Sequence, residues 1–553
     1  MWTSFVTDDF SSGLGLDALR SSHAIDIDVN SPSEINQIFD AISYSKGASV
    51  IRMLNAYLGP DKFAEGVSAY LVKHSYGNAK TTDLWDALSA SSGKNVAAMM
   101  QQWTKDVGYP MVRITGETYD AEKKLMTLQL SQTRFILAGD LTPKEDADSP
   151  VWFIPIQVTT HVDPSNPTGH VLDSKAGTIS FPYSVSAGKF YKLNSMTTGF
   201  YRVCHTQEQL QGLGSAIKAN SASFTTEDRI GIISDAFAFA RAGYGSTVGA
   251  LNLVKGFVDE TDYMVLSELH SCLELVNAAW YKDAEIVSSI HALQSKIFLP
   301  HVKALGYKYT TTEDFLTGQK RTLAVSACAH AGEPEVVRTL LAMFNEYIKG
   351  GETVCNANLR SIMFSTALKH RSDPQADFKA VLKISQRSTS IDERLAALGA
   401  LGATNDISLV HELLNKVALN PELVKAQDIM RPVGSLAALN PHKQQVYNIL
   451  WKWCTDNWEI LHEQLAASLS LLGRVLQACV SSQIGNEFVD KVEAWARGDD
   501  LKDAALAAKR VQQLGSCKRP LEQGLERVRG LTRWFERDQA ELKKWSSSSG
   551  KSQ

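Results

Sequence analysis

The sequence predicts a mainly α-helical protein with one small β domain in its first half. Apolar residues recur at helical spacing over residues 1–110 and again over 205–545, whereas between 111 and 204 they alternate with polar residues as in strands. The chain has 553 residues, of which 44% are hydrophobic and 21% charged. It is therefore long enough for about three domains with sizeable cores.

Residues 1–110 are predicted to form a series of helices. One start is marked by Ser31, which stands three residues before Glu34 and is followed by Pro32 at the first helical position. The apolar face of this helix continues to Ile42. Later helices are predicted to end at segments rich in glycine and proline: Gly59-Pro60, Gly93 and Gly108-Tyr109-Pro110.

Residues 111–204 are predicted to form short strands of a small β-sandwich. Met126, Leu128 and Leu130 alternate with polar residues, and the segment 151–160 is rich in β-forming side chains. Pro155 lies inside that segment and favours an edge strand, because proline cannot donate to a sheet ladder. Residues 163–169, with the sequence DPSNPTG, are predicted to form a turn.

From residue 205 to 545 the helical pattern returns, in segments separated by short polar turns. No strict repeat is present, so antiparallel helical hairpins stacked as an irregular solenoid of the HEAT or armadillo kind are expected. Residues 546–553 are rich in serine and are predicted to be a disordered tail.

Composition excludes several classes of protein. With 56 basic and 60 acidic residues, the net charge of −4 gives no reason to expect nucleic acid or a charged membrane surface as the partner. No apolar run reaches the about 20 residues that a membrane span needs. The seven cysteines are scattered, without a C-x-x-C pair, which is typical of free thiols in a reducing compartment. A cytoplasmic protein is therefore predicted.

Two pairs come close to the H-E-x-x-H zinc motif, in which two histidines one helical turn apart bind the metal and a glutamate acts as base. His411-Glu412 and His462-Glu463 both lack the second histidine. Each is therefore interpreted as a His-Glu pair on a helix surface.

Residues 13–18 fit the dinucleotide-binding pattern G-x-G-x-x-A. That motif requires a buried strand before it, and the preceding residues 7–10, with the sequence TDDF, do not provide one. A loop or helix end is expected here. The residues by themselves thus yield no complete catalytic set.

The segment Ala41-Ile42-Ser43-Tyr44-Ser45-Lys46-Gly47-Ala48 resembles the one that carries the catalytic tyrosine of gluzincin aminopeptidases, in the branch of the puromycin-sensitive and fungal cytosolic enzymes. Further segments resemble this family in the same order over residues 1–545. They are Gln102-Trp103-Thr104 through Gly108-Tyr109-Pro110, Thr198-Gly199-Phe200-Tyr201-Arg202-Val203, Asp228-Arg229 with Ser234-Asp235-Ala236-Phe237-Ala238, Trp451-Lys452-Trp453 with Asn457-Trp458, and Trp534 with Glu536-Arg537-Asp538.

The resemblance implies a fold and a reaction. Residues 1–110 would be the helical end of a thermolysin-like peptidase domain, 111–204 the following β-sandwich, and 205–545 the C-terminal helical solenoid. The implied reaction is the zinc-dependent removal of N-terminal residues from peptides. The hydroxyl of Tyr44 would donate a hydrogen bond to the oxyanion of the tetrahedral intermediate.

The sequence departs from this family at the metal. It contains no G-A-M-E-N segment for the peptide amine, no H-E-x-x-H helix and no N-E-G-F-A-like helix with the third zinc ligand. The chain is therefore expected to be the C-terminal portion of such an enzyme, to hold no zinc itself and to be inactive alone. The alternatives are a non-catalytic module that binds peptides or pairs with a separately encoded N-terminal half, and a fragment that folds poorly.

Overall fold

The computed structural model describes residues 2–28, 38–139, 141–185, 189–351 and 354–549. The chain forms two compact units, Met1–Leu269 and His270–Gln553. The predicted helix start at Ser31-Pro32-Ser33-Glu34 lies outside the described residues. The predicted domain boundaries at 110, 204 and 545 stay a prediction.

The first unit begins with short helices whose ends follow local signals. Gly59, at φ 87°, separates two of them, and Pro60 then occupies the first helical turn. Gly93 ends another helix in the left-handed conformation, and the side chain of Asn95 caps the next by accepting from the Ala98 amide. The α-helices are Trp2–Phe5, Ser11–Asp17, Gly47–Leu58, Pro60–Lys73, Thr81–Ser92 and Val96–Lys105, and the π-helices are Val6–Phe10 and Ile42–Lys46.

Seven strands follow among the described residues, in the part of the chain where the alternating pattern predicts them. They are β1 (Pro110–Asp120), β2 (Leu125–Arg134), β3 (Ile154–Thr160), β4 (Asp163–Leu172), β5 (Ala176–Pro182), β6 (Tyr191–Leu193) and β7 (Arg202–Cys204). They form a four-stranded sheet in the order β5-β2-β1-β7 and a three-stranded sheet in the order β4-β3-β6. β1 pairs antiparallel with β2, from Pro110 opposite Arg134, and parallel with β7. Trp152, Phe181 and Leu128 are fully buried.

Two details of the strand prediction are wrong. β3 is the central strand of its sheet rather than an edge, but β6 pairs only with its end from Val158 to Thr160. Among the described strands, Pro155 therefore has a paired neighbour on one side alone, opposite Val171 of β4, so its local environment is that of an edge, where proline is tolerated. Residues 163–169 are not a turn. They begin β4, which lies at the end of the sheet order, where prolines are tolerated, and the chain reverses just before them at residues 161–162.

The first unit closes with helices that begin at side-chain caps. Thr206 and Thr225 each accept a hydrogen bond from the amide three residues on, and the residue there bonds back, which forms a capping box. These helices are Gln207–Ala219, Thr226–Ala242 and Thr247–Val254, with the 3-10 turns Ser195–Thr197, Ser221–Ser223 and Lys255–Phe257. Helix Tyr263–Ala279 crosses the boundary between the units.

The described residues of the second unit form helices joined by turns and loops, without a strand. Its α-helices are Ala284–Leu305, Phe315–His330, Pro334–Tyr347, Ala357–His370, Pro374–Arg387, Ile391–Ala400, Ile407–Glu412, Met430–Leu439, Lys443–Asp456, Trp458–Gln464, Leu469–Val480, Asn486–Arg497, Ala504–Leu514 and Lys518–Ser549, with a π-helix at Leu413–Ala418. Five of these helices pack one against the next in a continuous series: Ala357–His370, Ile391–Ala400, Met430–Leu439, Leu469–Val480 and Lys518–Ser549. The predicted class, mainly α with a small β domain and a C-terminal helical domain, is confirmed.

The predicted disordered tail is wrong for its first four residues. The last helix continues to Ser549, because Trp545 and Ser546 are buried and the Ser547 hydroxyl donates to the Glu285 carboxylate at 2.9 Å. Residues 550–553 lie outside the described part of the chain. The seven cysteines are free thiols, and no helix within the described ranges is long and apolar enough to cross a bilayer.

Candidate functional site

Tyr44 lies on an exposed turn of π-helix. The amide of Lys46 donates to the carbonyl of Ala41 at 2.8 Å, an i to i−5 bond that widens the turn Ile42–Lys46 before the regular helix begins. The side chain of Tyr44 is 62% exposed, and its ring lies 6.3 Å from that of Phe39, which is 61% exposed. π-Helical turns are rare and often mark functional sites. The predicted catalytic tyrosine is thus presented to solvent rather than packed in the core.

Asp40 caps the turn that carries Tyr44. One carboxylate oxygen accepts from the amides of Ile42 at 2.8 Å and Ser43 at 3.4 Å. The other oxygen lies 3.0 Å from Nε2 of His23, a buried residue whose Nδ1 lies 2.8 Å from the Ala24 carbonyl. The start of the turn is therefore connected, through Asp40, to the buried side chain of His23.

A second π-helix, Val6–Phe10, packs against the first. The hydroxyl of Ser45 donates to the Asp9 carboxylate at 3.2 Å, and Ser49 donates to the carbonyl of Ser45 at 2.7 Å. The backbone on both sides of Tyr44 is thus held by side-chain hydrogen bonds.

A buried ion pair anchors the end of the same turn. Nζ of Lys46 lies 2.9 Å from the carboxylate of Asp17, and both side chains have zero exposure. Lys46 also donates to the Gly108 carbonyl at 3.1 Å, while Asp17 accepts from the Gly108 amide at 3.0 Å. These further bonds offset part of the cost of burying both charges.

The first five residues of the pattern G-x-G-x-x-A lie in the helix Ser11–Asp17, and its alanine, Ala18, caps the end of that helix. The helix follows a π-helix and not a strand, so the expected helix end is confirmed. Its first glycine has a packing role. A Cβ at Gly13 would lie 3.0 Å from the Lys46 amide nitrogen and 3.2 Å from the Phe200 ring, whereas a Cβ at Gly15 would meet nothing within 4 Å. Gly13 therefore allows its helix to approach the turn of Tyr44.

Arg52 holds a strained loop two turns beyond Tyr44. Its guanidinium donates to the carbonyls of Thr197 at 2.6 Å and Met196 at 3.0 Å, and it lies 5.2 Å from the centre of the Trp2 ring. Burial lowers the pKa of Arg52 to about 10, an effect that Glu227 partly opposes. Met196 and Thr197 have φ of 52° and 50°, a left-handed conformation that costs energy outside glycine. The Asp228 carboxylate fixes the same loop by accepting from the Met196 amide at 2.7 Å.

Comparison with known proteins identifies the family to which this chain belongs. Residues 1–103 match the sequence model of the peptidase family M1 domain, and residues 190–529 match that of the ERAP1-like C-terminal domain. The chain belongs to the M1 aminopeptidase family. The resemblance inferred from the residues around Tyr44 is therefore confirmed, and Tyr44 itself lies in the part that matches the peptidase domain.

The M1 relatives match almost the whole chain. Aminopeptidase 2 of Candida albicans is 32% identical over 549 residues, which are 99% of this chain and 55% of that protein. Aminopeptidase 2, mitochondrial, of Saccharomyces cerevisiae is 31% identical, over 100% of this chain and 54% of its own length. The alanine/arginine aminopeptidase of Saccharomyces cerevisiae is 30% identical, over 97% and 58%. The chain thus spans about half the length of the curated relatives it matches.

The M1 family implies zinc for its full-length members, and the residues present here do not fit that ion. No two of the 13 histidines stand four positions apart in the sequence. Within the described ranges, no three His, Cys, Asp or Glu side chains converge closely enough for a metal. Glu412, next to His411, lies 3.7 Å from Lys416, and the ring of His462 lies 6.3 Å from that of Trp458. Both His-Glu pairs therefore belong to ordinary helix surfaces.

Sequence reasoning missed the residues that support Tyr44, namely His23, Asp40, Lys46 and Arg52. Lys46 and Arg52 could have been noticed, because a charged residue on the buried face of an apolar helix needs a partner. No local spacing points to the pairing of His23 with Asp40, which are 17 residues apart.

Proposed function

We propose that this chain is the C-terminal portion of a zinc-dependent aminopeptidase that removes N-terminal residues from peptides, and that these 553 residues alone do not hydrolyse peptides. The observation that carries the proposal is the exposed, firmly held Tyr44 within the segment matching the peptidase domain. Membership of the M1 family supports the reaction class. The relatives that match nearly all of the chain are named as aminopeptidases.

In the complete enzyme, the Tyr44 hydroxyl donates a hydrogen bond to the oxyanion of the tetrahedral intermediate. Such a donor acts mainly in the transition state, where negative charge has developed on the oxygen, and its loss typically costs about 3–4 kcal/mol of barrier. Exposure of the side chain leaves the hydroxyl accessible to a substrate. The strong support of the surrounding turn keeps the donor pre-organised, so little reorganisation accompanies the reaction.

An oxyanion donor alone does not generate a nucleophile. Hydrolysis by this family requires a metal-activated water, and neither the H-E-x-x-H pair nor the third glutamate ligand is present among the 553 residues. The chain is therefore a part of the catalytic apparatus rather than all of it.

The proposal is tested by assaying the purified chain on aminoacyl amides with added zinc, beside the Tyr44→Phe variant. The expected result is no turnover above that of the buffer in either sample. Turnover that rises with zinc and falls at least about a hundredfold in Tyr44→Phe would contradict the proposed inactivity, since that loss is typical of removing an oxyanion donor.

A second candidate function is assembly with a separate polypeptide that supplies the other part of the peptidase domain. The helix Pro60–Lys73 favours it, because Phe63, Val67, Leu71 and Val72 line an apolar surface pocket of about 560 Å³. Leu71 is 60% and Val72 73% exposed. Exposed apolar patches of this kind often mark interaction surfaces.

Sedimentation velocity tests this assembly. The chain is mixed with the part of Candida albicans aminopeptidase 2 that it does not match, and a complex is expected. A Leu71→Asp variant should lose the complex, while Lys62→Asp on the same helix should keep it. Absence of a complex at high micromolar concentration would contradict this function.

The free thiols support a reducing, cytoplasmic location for either function.

A further inference from the structure

We infer that His23 and Asp40 are positioning residues for Tyr44: they hold the π-helical turn in the geometry that presents the tyrosine hydroxyl. This inference rests on the proposed role of Tyr44. It assigns a role to two residues that bond to each other although they are 17 positions apart, and of which Asp40 also caps the turn.

The geometry defines a short relay of hydrogen bonds. It runs from the Ala24 carbonyl to His23 at 2.8 Å, from His23 to the Asp40 carboxylate at 3.0 Å, and from that carboxylate to the amide of Ile42 at 2.8 Å. Tyr44 is two residues beyond the capped amide, and its own amide donates to the Asp40 carbonyl at 3.2 Å. Both the side chain and the backbone of Asp40 therefore fix the conformation of the turn.

The relay of hydrogen bonds has one buried end, at His23, and one exposed end, at Tyr44. His23 is only 3% exposed, while Asp40 is partly exposed and Tyr44 lies largely in solvent. A buried imidazole with both nitrogens bonded has a single orientation, so it can act as a fixed anchor. Because π-helical turns are rare in proteins, we attribute the retention of this exposed one to the side-chain bonds at its start.

The chemistry of the hydrogen-bond partners assigns the donor at the Ala24 end of the relay. The Ala24 carbonyl can only accept, so Nδ1 of His23 is the donor there. The bond to Asp40 then needs a second hydrogen, shared between Nε2 and the carboxylate. An asparagine at position 40 would preserve both contacts without that hydrogen, because its carbonyl accepts from the Ile42 amide and its NH₂ group donates to Nε2.

Four variants test the inference in the full chain. Asp40→Ala and His23→Ala break the relay, Asp40→Asn conserves its contacts, and Asp83→Ala is the matched control. Asp83 likewise caps a helix, by accepting from the Lys80 amide at 2.7 Å, and lies 3.9 Å from His74. The readouts are hydrogen exchange at the Ile42 and Ser43 amides and the ¹⁹F signal of 3-fluorotyrosine at position 44, assigned with Tyr44→Phe.

We expect Asp40→Ala to speed exchange of the two amides about 5- to 10-fold, as loss of a helix cap does, and to shift or broaden the Tyr44 signal. His23→Ala should move both readouts in the same direction. Asp40→Asn should restore the wild-type signal, and Asp83→Ala should leave it unchanged. If Asp40→Ala does not fold, His23→Ala and Asp40→Asn supply the same comparison.

An unchanged Tyr44 signal in His23→Ala, or an equal change in Asp83→Ala, would overturn the inference. Failure of Asp40→Asn to restore the signal would do so as well. None of these readouts depends on hydrolysis. Zinc-dependent turnover by the chain would therefore contradict the proposed function and leave the positioning of Tyr44 intact.

Discussion

Two groups of buried charges, one in each unit, are built differently. In the first unit, Lys46 faces Asp17 at 2.9 Å and both are fully buried. In the second unit, the Glu274 carboxylate accepts from Gln294 at 2.6 Å and carries opposite-charge interactions with several bases. Among these, the rings of His270 and His330 lie parallel, 6.3 Å apart.

The two groups differ in the ratio of acidic to basic side chains. The Lys46 pair has one charge of each sign and holds the turn of Tyr44. Around Glu274 the bases outnumber the carboxylate, and burial lowers the pKa values of His270, His330, Lys369 and Lys443. The support of the predicted catalytic tyrosine is therefore a matched ion pair, whereas the helical unit buries more bases than acids around Glu274.

The largest effect is expected from breaking the matched pair. Asp17→Ala leaves the Lys46 ammonium buried without its counter-ion, which should lower the free energy of unfolding by about 3–5 kcal/mol. Urea denaturation followed by tryptophan fluorescence measures this change. Asp26→Ala, which removes the exposed pair with Lys105, is the control and should have no measurable effect. If the two variants lowered the free energy of unfolding equally, burial of the ion pair would not explain its contribution to stability.

Acidification should destabilise the second unit through His330. Burial lowers the pKa of His330 from 6.5 to about 4, so the unfolded chain binds this proton more readily. The contribution of neutral His330 to the free energy of unfolding is fully present above about pH 6.5. It is lost as the pH falls toward 4, by at most about 1.4 kcal/mol per pH unit.

The variant His330→Gln should flatten that slope of stability against pH, measured by urea denaturation at a series of pH values. His411→Gln, at an exposed position, is the control and should retain the wild-type slope. An unchanged slope in His330→Gln would show that other groups dominate the response to acid.

A smaller effect is expected at the contact between helices in the first unit. Gly13→Ala places a methyl group against the Lys46 amide and should cost about 1–3 kcal/mol by overpacking. Gly15→Ala lies in the same helix with open space and should be neutral or stabilising, by up to about 1 kcal/mol. Thermal unfolding compares them directly, and a neutral Gly13→Ala would argue against close approach at this turn.

The smallest effect on stability is expected at Tyr44. Because its side chain is largely exposed, Tyr44→Phe should change the free energy of unfolding by less than about 0.5 kcal/mol. A loss well above 1 kcal/mol, measured by urea denaturation, would mean that the hydroxyl serves the fold rather than a substrate.

The fold class could be predicted from periodicity because long helices and alternating strands leave strong patterns. Residues 163–169 were mispredicted because an edge strand can share the proline- and asparagine-rich composition of a turn. The helix to Ser549 was missed because its stability comes from contacts such as Ser547 with Glu285, far apart in sequence.

Of the candidate site, sequence pointed only to Tyr44, and only through family resemblance. The π-helical turn has no distinctive periodicity over its five residues, Ile42–Lys46. Its supports are long-range: Asp17 and Lys46 are 29 positions apart, and Arg52 reaches Thr197. Such contacts depend on tertiary packing that no local pattern encodes.

The zinc content of the purified chain tests directly whether these 553 residues lack a metal site of their own. After dialysis against zinc and then against buffer, elemental analysis measures the metal that stays bound. We expect far less than one zinc per chain, with no change in His411→Gln or His462→Gln. One zinc per chain, lost in either variant and accompanied by peptide hydrolysis, would contradict it.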